Sequence, residues 1–399
     1  MNVFVLTSRI PYPLEKGDKL RLHHQLKHLG KAHDVTLCCL TDHALTPEQR
    51  EALRPLVKEI HVVRLSWIRR MWRMAWSWAS KLPFQVVWFT EGKAKRQIKK
   101  LIHVQEPDVI YCQLVRCAEY VKDLHELPKV LDYMDALSAG MHRRSHTHSS
   151  LHQRATQWLL RTEGTRLARY ESRVFDYFDA STIISQNDRL LIQHRERDRI
   201  HLVPNGVDLE AFAPGPPSET DDQCDPVILF TGNMSYPPNV DAAHHLVEDI
   251  LPLVSHPNVR VVLAGAEPKP SVKALASDRV KVTGWVDNIV EAYQRATLFV
   301  APLRIGTGLQ NKVLEAMATE LPCVLSPHAF APLNLPSSGH AVVCENAQSF
   351  AKAIDDLLDN GQQATHMAQR ARVSIEAQFS WQAHSEALTK LLGDVARMK

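Results

Sequence analysis

Short apolar runs alternate with longer stretches of helical periodicity along most of the chain. The runs are rich in Val, Ile, Leu and Phe, as expected for strands buried on both faces of a parallel sheet. We predict strands at 2–7, 34–40, 60–65, 108–112, 129–133, 180–185, 200–204, 227–232, 259–265, 280–284, 298–302, 323–326 and 341–344. This alternation predicts an α/β protein with doubly wound, Rossmann-like parallel sheets.

The alternation is interrupted at residues 213–226, "APGPPSETDDQCDP". This stretch is rich in Pro, Gly and acidic residues and has no hydrophobic period, so it predicts a linker. We therefore assign an N-terminal α/β domain to 1–212 and a C-terminal α/β domain to 227–380, facing across a cleft. Ligands of such sheets bind beyond the carboxyl ends of the strands.

One loop of the second domain carries residues suited to phosphate binding. In "PLRIGTGLQNKVLEAMATELP", residues 302–322, Gly306 and Gly308 precede a helix predicted over 309–320. The free N–H groups at the start of that helix, together with Lys312 in its first turn, would attract a diphosphate.

Glu315 lies one turn after Lys312 on the same face of the predicted helix. Its carboxylate would accept hydrogen bonds from the two hydroxyl groups of a ribose. The alternative is a surface i,i+3 ion pair of Lys312 and Glu315, which would contribute only about 0.2–0.5 kcal/mol to helix stability.

Composition narrows the class of protein. The chain is 45% hydrophobic and 23% charged, and 47 Lys and Arg against 44 Asp and Glu leave a net charge of +3, which gives no indication of a nucleic-acid partner. Seven cysteines without a C-x-x-C pair predict reduced thiols and a cytoplasmic location. Neither a signal peptide nor an apolar run of about 18 residues is present, so we expect no export or membrane span.

Four segments resemble a known family. "APLRIGTGLQNKVLEAMATELPCVLS", 301–326, resembles the donor-binding signature of the retaining family 4 glycosyltransferases, which have the GT-B fold. "LVPNGVDLEAF", 202–212, is similar to the family's P-N-G-V-D segment. Residues 6–29 and 232–252 are similar to a branch associated with bacterial exopolysaccharide synthesis. The resemblance also implies that a C-terminal helix at about 381–399 packs back on the first domain.

The resemblance implies a donor site in the second domain. Glu315 corresponds to the family's ribose ligand, but Thr307 stands where a second glutamate is usual, and "GNMSYPPN", 232–239, lacks the family's basic residues. Lys312 is therefore expected to be the main fixed cation and a catalytic residue. The full predicted set of donor contacts is Gly17, Asn205, Gly232, Asn233, Gly284, Trp285, Gly306, Thr307, Gly308, Leu309, Lys312 and Glu315.

Several of these residues keep a second interpretation. Gly17 and Arg21 in "GDKLR" would approach a donor or acceptor phosphate, or form a loop with solvated charges. Asp135 in "VLDYMDALS" would contact the acceptor and take part in catalysis, or cap a helix. Trp285 would meet the nucleobase beside Gly284, or lie in the core.

Residues 64–100 form a basic and aromatic region with ten Lys or Arg, a single acid and five of the eight tryptophans. A helix predicted over 67–82 has Ile68, Met71 and Trp72 on one face and Arg69, Arg70 and Arg73 towards the other. Such a helix would lie on an anionic membrane. The alternative is a helix whose apolar face covers its own domain.

The sequence as a whole predicts an enzyme that transfers a sugar from a nucleotide diphosphate to a hydroxyl of a glycan, with a lipid-linked glycan favoured. We expect a cytoplasmic protein that associates with the inner face of the plasma membrane. We expect it to need no cofactor beyond the nucleotide sugar and no bound metal ion. His142, His146, His148 and His152 are close together, but no acid or Cys completes a metal site. The alternatives are a nucleotide-sugar epimerase of the same fold and a weakly active donor-binding subunit of a partner transferase.

Overall fold

The computed structural model of the protein describes residues 1–14, 16–146, 154–215, 225–305, 308–336 and 338–398. The chain forms two compact units, one of Met1–Pro204 with Gln382–Lys399, and one of Asn205–Trp381. We call them unit 1 and unit 2.

Unit 1 is built on a seven-stranded parallel sheet in the order β3-β2-β1-β4-β5-β6-β7. Its strands are β1 (Asn2–Thr7), β2 (Asp34–Thr41), β3 (Glu59–Arg64), β4 (Val109–Gln113), β5 (Lys129–Met134), β6 (Ala180–Ile183) and β7 (His201–Leu202). Its helices are α1 (Gly17–Ala32), α2 (Pro47–Leu53), α3 (Trp67–Trp76), α4 (Phe84–Phe89), α5 (Gly92–Gln105), α6 (Leu137–His146), α7 (Arg154–Phe175) and α8 (Gln186–Leu191).

Unit 2 is built on a six-stranded parallel sheet in the order β10-β9-β8-β11-β12-β13. Its strands are β8 (Val227–Thr231), β9 (Arg260–Ala264), β10 (Val280–Gly284), β11 (Leu298–Ala301), β12 (Cys323–Leu325) and β13 (Val342–Val343). Its helices are α9 (Pro237–His244), a π-helical extension (His245–Ile250), α10 (Pro270–Lys273), α11 (Ile289–Gln294), α12 (Asn311–Ala318), α13 (Pro327–Phe330), α14 (Ala347–Asp359) and α15 (Gly361–Gln378).

The predicted α/β fold with two parallel sheets is confirmed, and every predicted strand is present with small shifts at its ends. Both sheets are buried on both faces, because β1, β4, β8 and β11 carry almost continuous apolar side chains with helices on either side. The predicted helix at 67–82 is shorter, since α3 ends at Trp76 and a 3₁₀ turn follows at Ser77–Ala79.

The boundary between the units lies before Asn205, earlier than the predicted 212. Val207 explains the difference, because its N–H donates to Phe379 O at 2.8 Å and its side chain packs in the core of unit 2. The predicted linker at 213–226 lies largely outside the described residues, which resume at Asp225.

The last helix, α16 (Trp381–Ala396), completes the core of unit 1. Its apolar residues Leu388, Leu392 and Val395 are buried in one cluster with Val3 and Val5 of β1. Unit 1 is therefore built from both ends of the chain, whereas unit 2 is one continuous segment.

Candidate functional site

The strand order of unit 2 marks where a ligand would bind. β8 lies between β9 and β11, so the connections from β8 leave the sheet in opposite directions at this point. In open parallel sheets the crevice beyond the carboxyl ends of such strands is the usual ligand site. The loop after β8 begins with Gly232 and Asn233, and the loop after β11 leads into α12, which carries Lys312 and Glu315.

Two glycine backbones meet at this crevice. A Cβ on Gly265, at the end of β9, would lie 1.9 Å from Gly232 O. A Cβ on Gly232, whose φ is 149°, would lie 2.5 Å from Asn239 Nδ2 and 2.9 Å from Lys312 Nζ. Only glycine fits either position, and the absent side chain at Gly232 leaves room beside the Lys312 ammonium.

Lys312 is buried, and its ammonium directly contacts two neutral groups. Its Nζ donates to Asn239 Oδ1 at 2.5 Å and lies 4.5 Å from the centre of the Phe230 ring. Burial lowers the pKa of Lys312 to about 7, although Glu315 opposes the shift. An amide and a ring compensate a buried charge only partly, so an incoming anion would find this cation poorly paired.

Asn239 is held in turn by the loop after β8. Its Nδ2 donates to Asn233 O at 2.9 Å, while Asn233 Oδ1 accepts hydrogen bonds from the backbone and hydroxyl of Ser235 at 2.8 and 2.6 Å. Asn233 Nδ2 also donates to Glu267 Oε2 at 3.2 Å. The predicted donor contact Asn233 therefore shapes the loop that positions the Lys312 partner.

Glu315 is half-buried and is bound by a tyrosine. Tyr293 Oη donates to Glu315 Oε2 at 2.8 Å, and since its proton is used there, Tyr293 accepts from Thr231 Oγ1 at 2.7 Å. Burial raises the pKa of the Glu315 carboxyl. The hydrogen bond from Tyr293 and the charge of Lys312 act in the opposite direction and lower this pKa. Among the described residues Lys312 and Glu315 form no direct ion pair, so the surface-pair alternative is wrong.

The start of α12 differs from the prediction. The helix begins at Asn311 and not at 309, and Asn205 Nδ2 donates to Asn311 Oδ1 at 3.3 Å. Gly306 and Thr307 lie outside the described residues. Gly308 has a φ of 77°, and Leu309 is half-buried against the core of unit 2.

Arg304 of the same loop is engaged with a carboxylate. Its Nε and Nη2 donate to the two oxygens of Asp241 at 3.0 and 2.6 Å. This cation was not singled out from the sequence, and its bidentate pair fastens the loop to α9.

Gly284 and Trp285 follow β10. Trp285 is 58% exposed and its Nε1 donates to Asp287 Oδ1 at 3.0 Å, so the alternative of a core tryptophan is wrong. A Cβ on Gly284 would meet open space. The Trp285 ring is accessible to a ligand.

The expectation that Arg21 contacts an acceptor is corrected by its burial. Arg21 is fully enclosed in unit 1, where its Nε donates to Asp132 Oδ2 at 2.8 Å. Asp132 also accepts from Tyr111 Oη and Thr182 Oγ1, each at 2.9 Å. Arg21 therefore belongs to an interior hydrogen-bonded network, and its guanidinium is closed off from solvent.

A cavity of about 250 Å³ lies instead at the carboxyl ends of β1 and β2. Its polar lining includes the side chains of Arg9, Lys16, Lys19, Asp42, His43, Gln49 and Arg70. Gly17 begins α1 beside this cavity, and a Cβ there would make an ordinary contact with Met134. The loop therefore offers a polar binding surface without the predicted Arg21.

Asp135 is exposed at the end of β5. The carboxylate that binds the first turn of α6 belongs to Glu171, which accepts from Ser138 N at 3.1 Å and Ser138 Oγ at 2.5 Å. Burial raises the pKa of Glu171 to about 7. Glu171 was missed from the sequence because it lies in a different helix from the turn that it binds.

One arginine of α3, Arg70, points inward, while Arg69 and most of the apolar residues of the helix are exposed. Arg70 is buried, with its guanidinium 5.4 Å from the Trp88 ring and 3.6 Å from Asp42. Trp67, Ile68, Met71, Trp72 and Trp76 are between 46% and 73% exposed, and we call these five residues the tryptophan surface. The alternative of an apolar face covering its own domain is therefore wrong.

Comparison with known proteins finds similar sequences and a similar fold. Residues 225–360 match the family model described as glycosyl transferases group 1. In fold, the chain is similar to Anabaena HepE in complex with UDP and glucose, with a TM-score of 0.71 and 15% identity over 99% of this chain and 100% of HepE. The chain has the GT-B fold.

Two curated relatives match part of this GT-B chain. A GDP-mannose-dependent monoacylated alpha-(1-6)-phosphatidylinositol monomannoside mannosyltransferase of Corynebacterium glutamicum is 24% identical over 213 residues, 48% of this chain and 55% of the relative. The putative glycosyltransferase EpsF of Bacillus subtilis is 32% identical over 150 residues, 33% of this chain and 37% of EpsF. The chain thus matches about half or less of the length of these relatives.

Two further properties of the GT-B chain concern membrane-spanning helices and metal sites. No helix in the described part of the chain has the length and apolar character needed to cross a bilayer. The described side chains include no cluster of three His, Cys, Asp or Glu able to hold a metal ion. His142, His146, His148 and His152 fall where the side chains are not described.

Proposed function

We propose that the protein transfers a sugar from a nucleotide-diphosphate sugar to a hydroxyl of a lipid-linked glycan. The observation that carries the proposal is the buried Lys312 ammonium beside Gly232, at the point of unit 2 where parallel sheets bind ligands. The match to glycosyl transferases group 1 covers this same region. The remaining donor contacts are those predicted from the sequence, with Glu315 as the ribose ligand.

The proposed chemistry follows from where charge develops. Breaking the bond from the anomeric carbon to the phosphate oxygen leaves negative charge on the diphosphate. Lys312 is fixed in a low-dielectric site and stabilises that charge without reorganising. The departing phosphate oxygen takes the proton of the acceptor hydroxyl, so the acceptor attacks from the face that the phosphate leaves, the configuration is retained, and no metal is needed for the charge.

The donor probes come from the relatives. The C. glutamicum relative is named as GDP-mannose-dependent, and HepE was solved with UDP and glucose. We therefore take GDP-mannose and UDP-glucose as the first two donors to test. The stacking surface of Trp285 accommodates either base, because any nucleobase has a π face.

The proposed acceptor contacts are in unit 1. Arg9, Lys16 and Lys19 line the polar cavity after β1, and Asp135 is exposed at the end of β5. The tryptophan surface would place unit 1 on the inner face of the plasma membrane, where its Trp side chains suit the headgroup boundary. A role in exopolysaccharide synthesis is proposed from the sequence resemblance of residues 6–29 and 232–252.

The test begins with thermal stabilisation of the full-length protein by UDP-glucose and GDP-mannose, followed by turnover with vesicles containing an undecaprenyl-diphosphate-linked sugar. We expect one donor to stabilise the protein and its sugar to appear on the lipid. An epimerised nucleotide sugar as the main product would contradict the proposal in favour of an epimerase. Donor binding without any turnover would favour a donor-binding subunit.

A further inference from the structure

A second cavity in unit 1 is lined by basic side chains that the proposed reaction does not use. This basic cavity, about 650 Å³ in volume, lies between α3 and the start of α5. Its charged and aromatic lining residues are Arg69, Trp72, Arg73, Glu91, Lys93 and Arg96. Four cations thus face a single carboxylate.

The carboxylate of Glu91 is already occupied. Its Oε1 accepts from Arg69 Nη1 at 2.6 Å, and its Oε2 accepts from Ser66 N at 2.9 Å. Arg73, Lys93 and Arg96 form no ion pair with any residue that the structure describes. The Nε of Arg73 is buried and has no hydrogen-bond partner among those residues. Such a group loses its hydration without compensation, which an anion would restore.

An apolar cavity adjoins the basic one. It is about 370 Å³ in volume and is lined by Trp72, Arg73, Trp76, Leu82 and Val87 with two serines. Trp72 and Arg73 line both cavities, so the basic and apolar spaces meet at these two side chains. The tryptophan surface continues outward from the same helix.

We infer that the two cavities together bind a membrane lipid through its phosphate headgroup. The phosphate would be held by Arg73, Lys93 and Arg96, and the first part of the hydrocarbon chain would lie in the apolar cavity against Trp76 and Leu82. Three converging cations match the several oxygens of one phosphate, and the adjoining apolar wall fits a lipid better than a free phosphate. This inference rests on the proposed lipid-linked acceptor, because such an acceptor brings unit 1 to a membrane.

The site predicts recognition of a defined headgroup, which differs from general attraction to a negative membrane. Diffuse attraction depends on the total charge near the surface and falls with salt. Binding in the basic cavity depends on Arg73 and Arg96 but not on Lys99 and Lys100, which are exposed on α5 outside the cavity. Each of these four side chains carries one positive charge. Lys100→Gln therefore removes the same charge as Arg73→Gln, but outside the cavity, and serves as the control.

The experiment uses the full-length protein and dihexanoyl phosphatidic acid below its micelle concentration, measured by calorimetry, with inorganic phosphate as the second probe. We expect Arg73→Gln to weaken lipid binding by about tenfold, the effect of one lost charge-assisted hydrogen bond, and Lys100→Gln by less than about twofold. Inorganic phosphate should bind at least about tenfold more weakly, because it leaves the apolar cavity empty.

Binding to membranes is measured by flotation with phosphatidylcholine vesicles. One set of vesicles contains phosphatidic acid and the other contains phosphatidylserine at an equal total charge. Preference for phosphatidic acid that Arg73→Gln abolishes supports the inference. Equal losses in Arg73→Gln and Lys100→Gln, or equal affinity for inorganic phosphate, would overturn it. Donor-induced thermal stabilisation is measured on the same preparations, so that absent lipid binding with retained donor binding refutes this inference alone.

Discussion

The two units each bury a cation on the helix that follows a central strand, and the two cations are treated differently. Arg21 of α1 is bound by the carboxylate of Asp132, which also accepts from Tyr111 and Thr182. Lys312 of α12 is bound by the neutral amide of Asn239 and faces the Phe230 ring. A buried cation with a carboxylate partner is a structural element, whereas one held by neutral groups is available to an anionic ligand.

The largest effect should come from breaking the paired cation. Arg21→Met leaves the carboxylate of Asp132 buried without its positive partner, and we expect a loss of about 3–5 kcal/mol in the free energy of unfolding. Urea denaturation measures it. Arg9→Met is the matched control, because the Arg9–Asp18 pair is partly exposed and should contribute less than about 1 kcal/mol. Equal effects of the two substitutions would contradict the structural role of Arg21.

Removing the poorly paired cation should act on turnover and not on stability. Lys312→Met keeps most of the side-chain volume but removes the charge that we propose stabilises the leaving diphosphate, so we expect kcat/KM to fall by about 10²–10³. The free energy of unfolding should not decrease, because a buried ammonium is replaced by an apolar group. Lys281→Met, at an exposed position of unit 2, is the control. Unchanged turnover in Lys312→Met would remove Lys312 from the mechanism.

The same contrast predicts a pH dependence of donor binding. The pKa of Lys312 is lowered to about 7 by burial, and a bound diphosphate favours the ammonium form and raises it again. Binding therefore takes up a proton above about pH 7, and affinity for the donor should fall by up to about tenfold per pH unit from there to the pKa of the complex. Calorimetry between about pH 6 and pH 9 measures this slope. The slope should disappear in Lys312→Met and persist in Lys281→Met.

The smallest effect should come from the neighbour of Glu315. Tyr293→Phe removes the hydroxyl that donates to Glu315 Oε2, which leaves the carboxylate free to rotate away from the ribose position. We expect donor affinity to fall by about three- to tenfold, the range of one ordinary hydrogen bond. Nucleotide binding by calorimetry is the measurement. An unchanged affinity would mean that Glu315 does not depend on this hydrogen bond for its position.

The sheets and the crevice of unit 2 followed from the sequence because they depend on local patterns. Apolar runs located the strands, and the loops after β8 and β11 bring Gly232 and Lys312 together, whereas the donor contacts remain a prediction. Asn239 lies in the first turn of α9, but its sequence position does not indicate that it is the partner of Lys312. Gly265 was missed because nothing near it in sequence shows that another backbone touches it.

The sequence predictions were wrong where the position of a side chain depends on partners that are distant in sequence. Arg21 was expected to contact a ligand, but Asp132 lies in another strand, and helical spacing alone does not reveal that pairing. The same limit applies to α3, since a helical wheel separates apolar from basic residues without showing which face is buried. Asp42 and Trp88 draw Arg70 inward, and the tryptophan surface is left outside.

The origin of unit 1 from both ends of the chain affects the order in which the protein can fold during synthesis. The N-terminal sheet leaves the ribosome first, but the residues Leu388, Leu392 and Val395 that cover Val3 and Val5 are made only after the whole of unit 2. Unit 2 is continuous and can close its core earlier. The nascent N-terminal sheet therefore lacks part of its apolar cover until the last residues of the chain are made, and apolar surface that is exposed in this way favours aggregation.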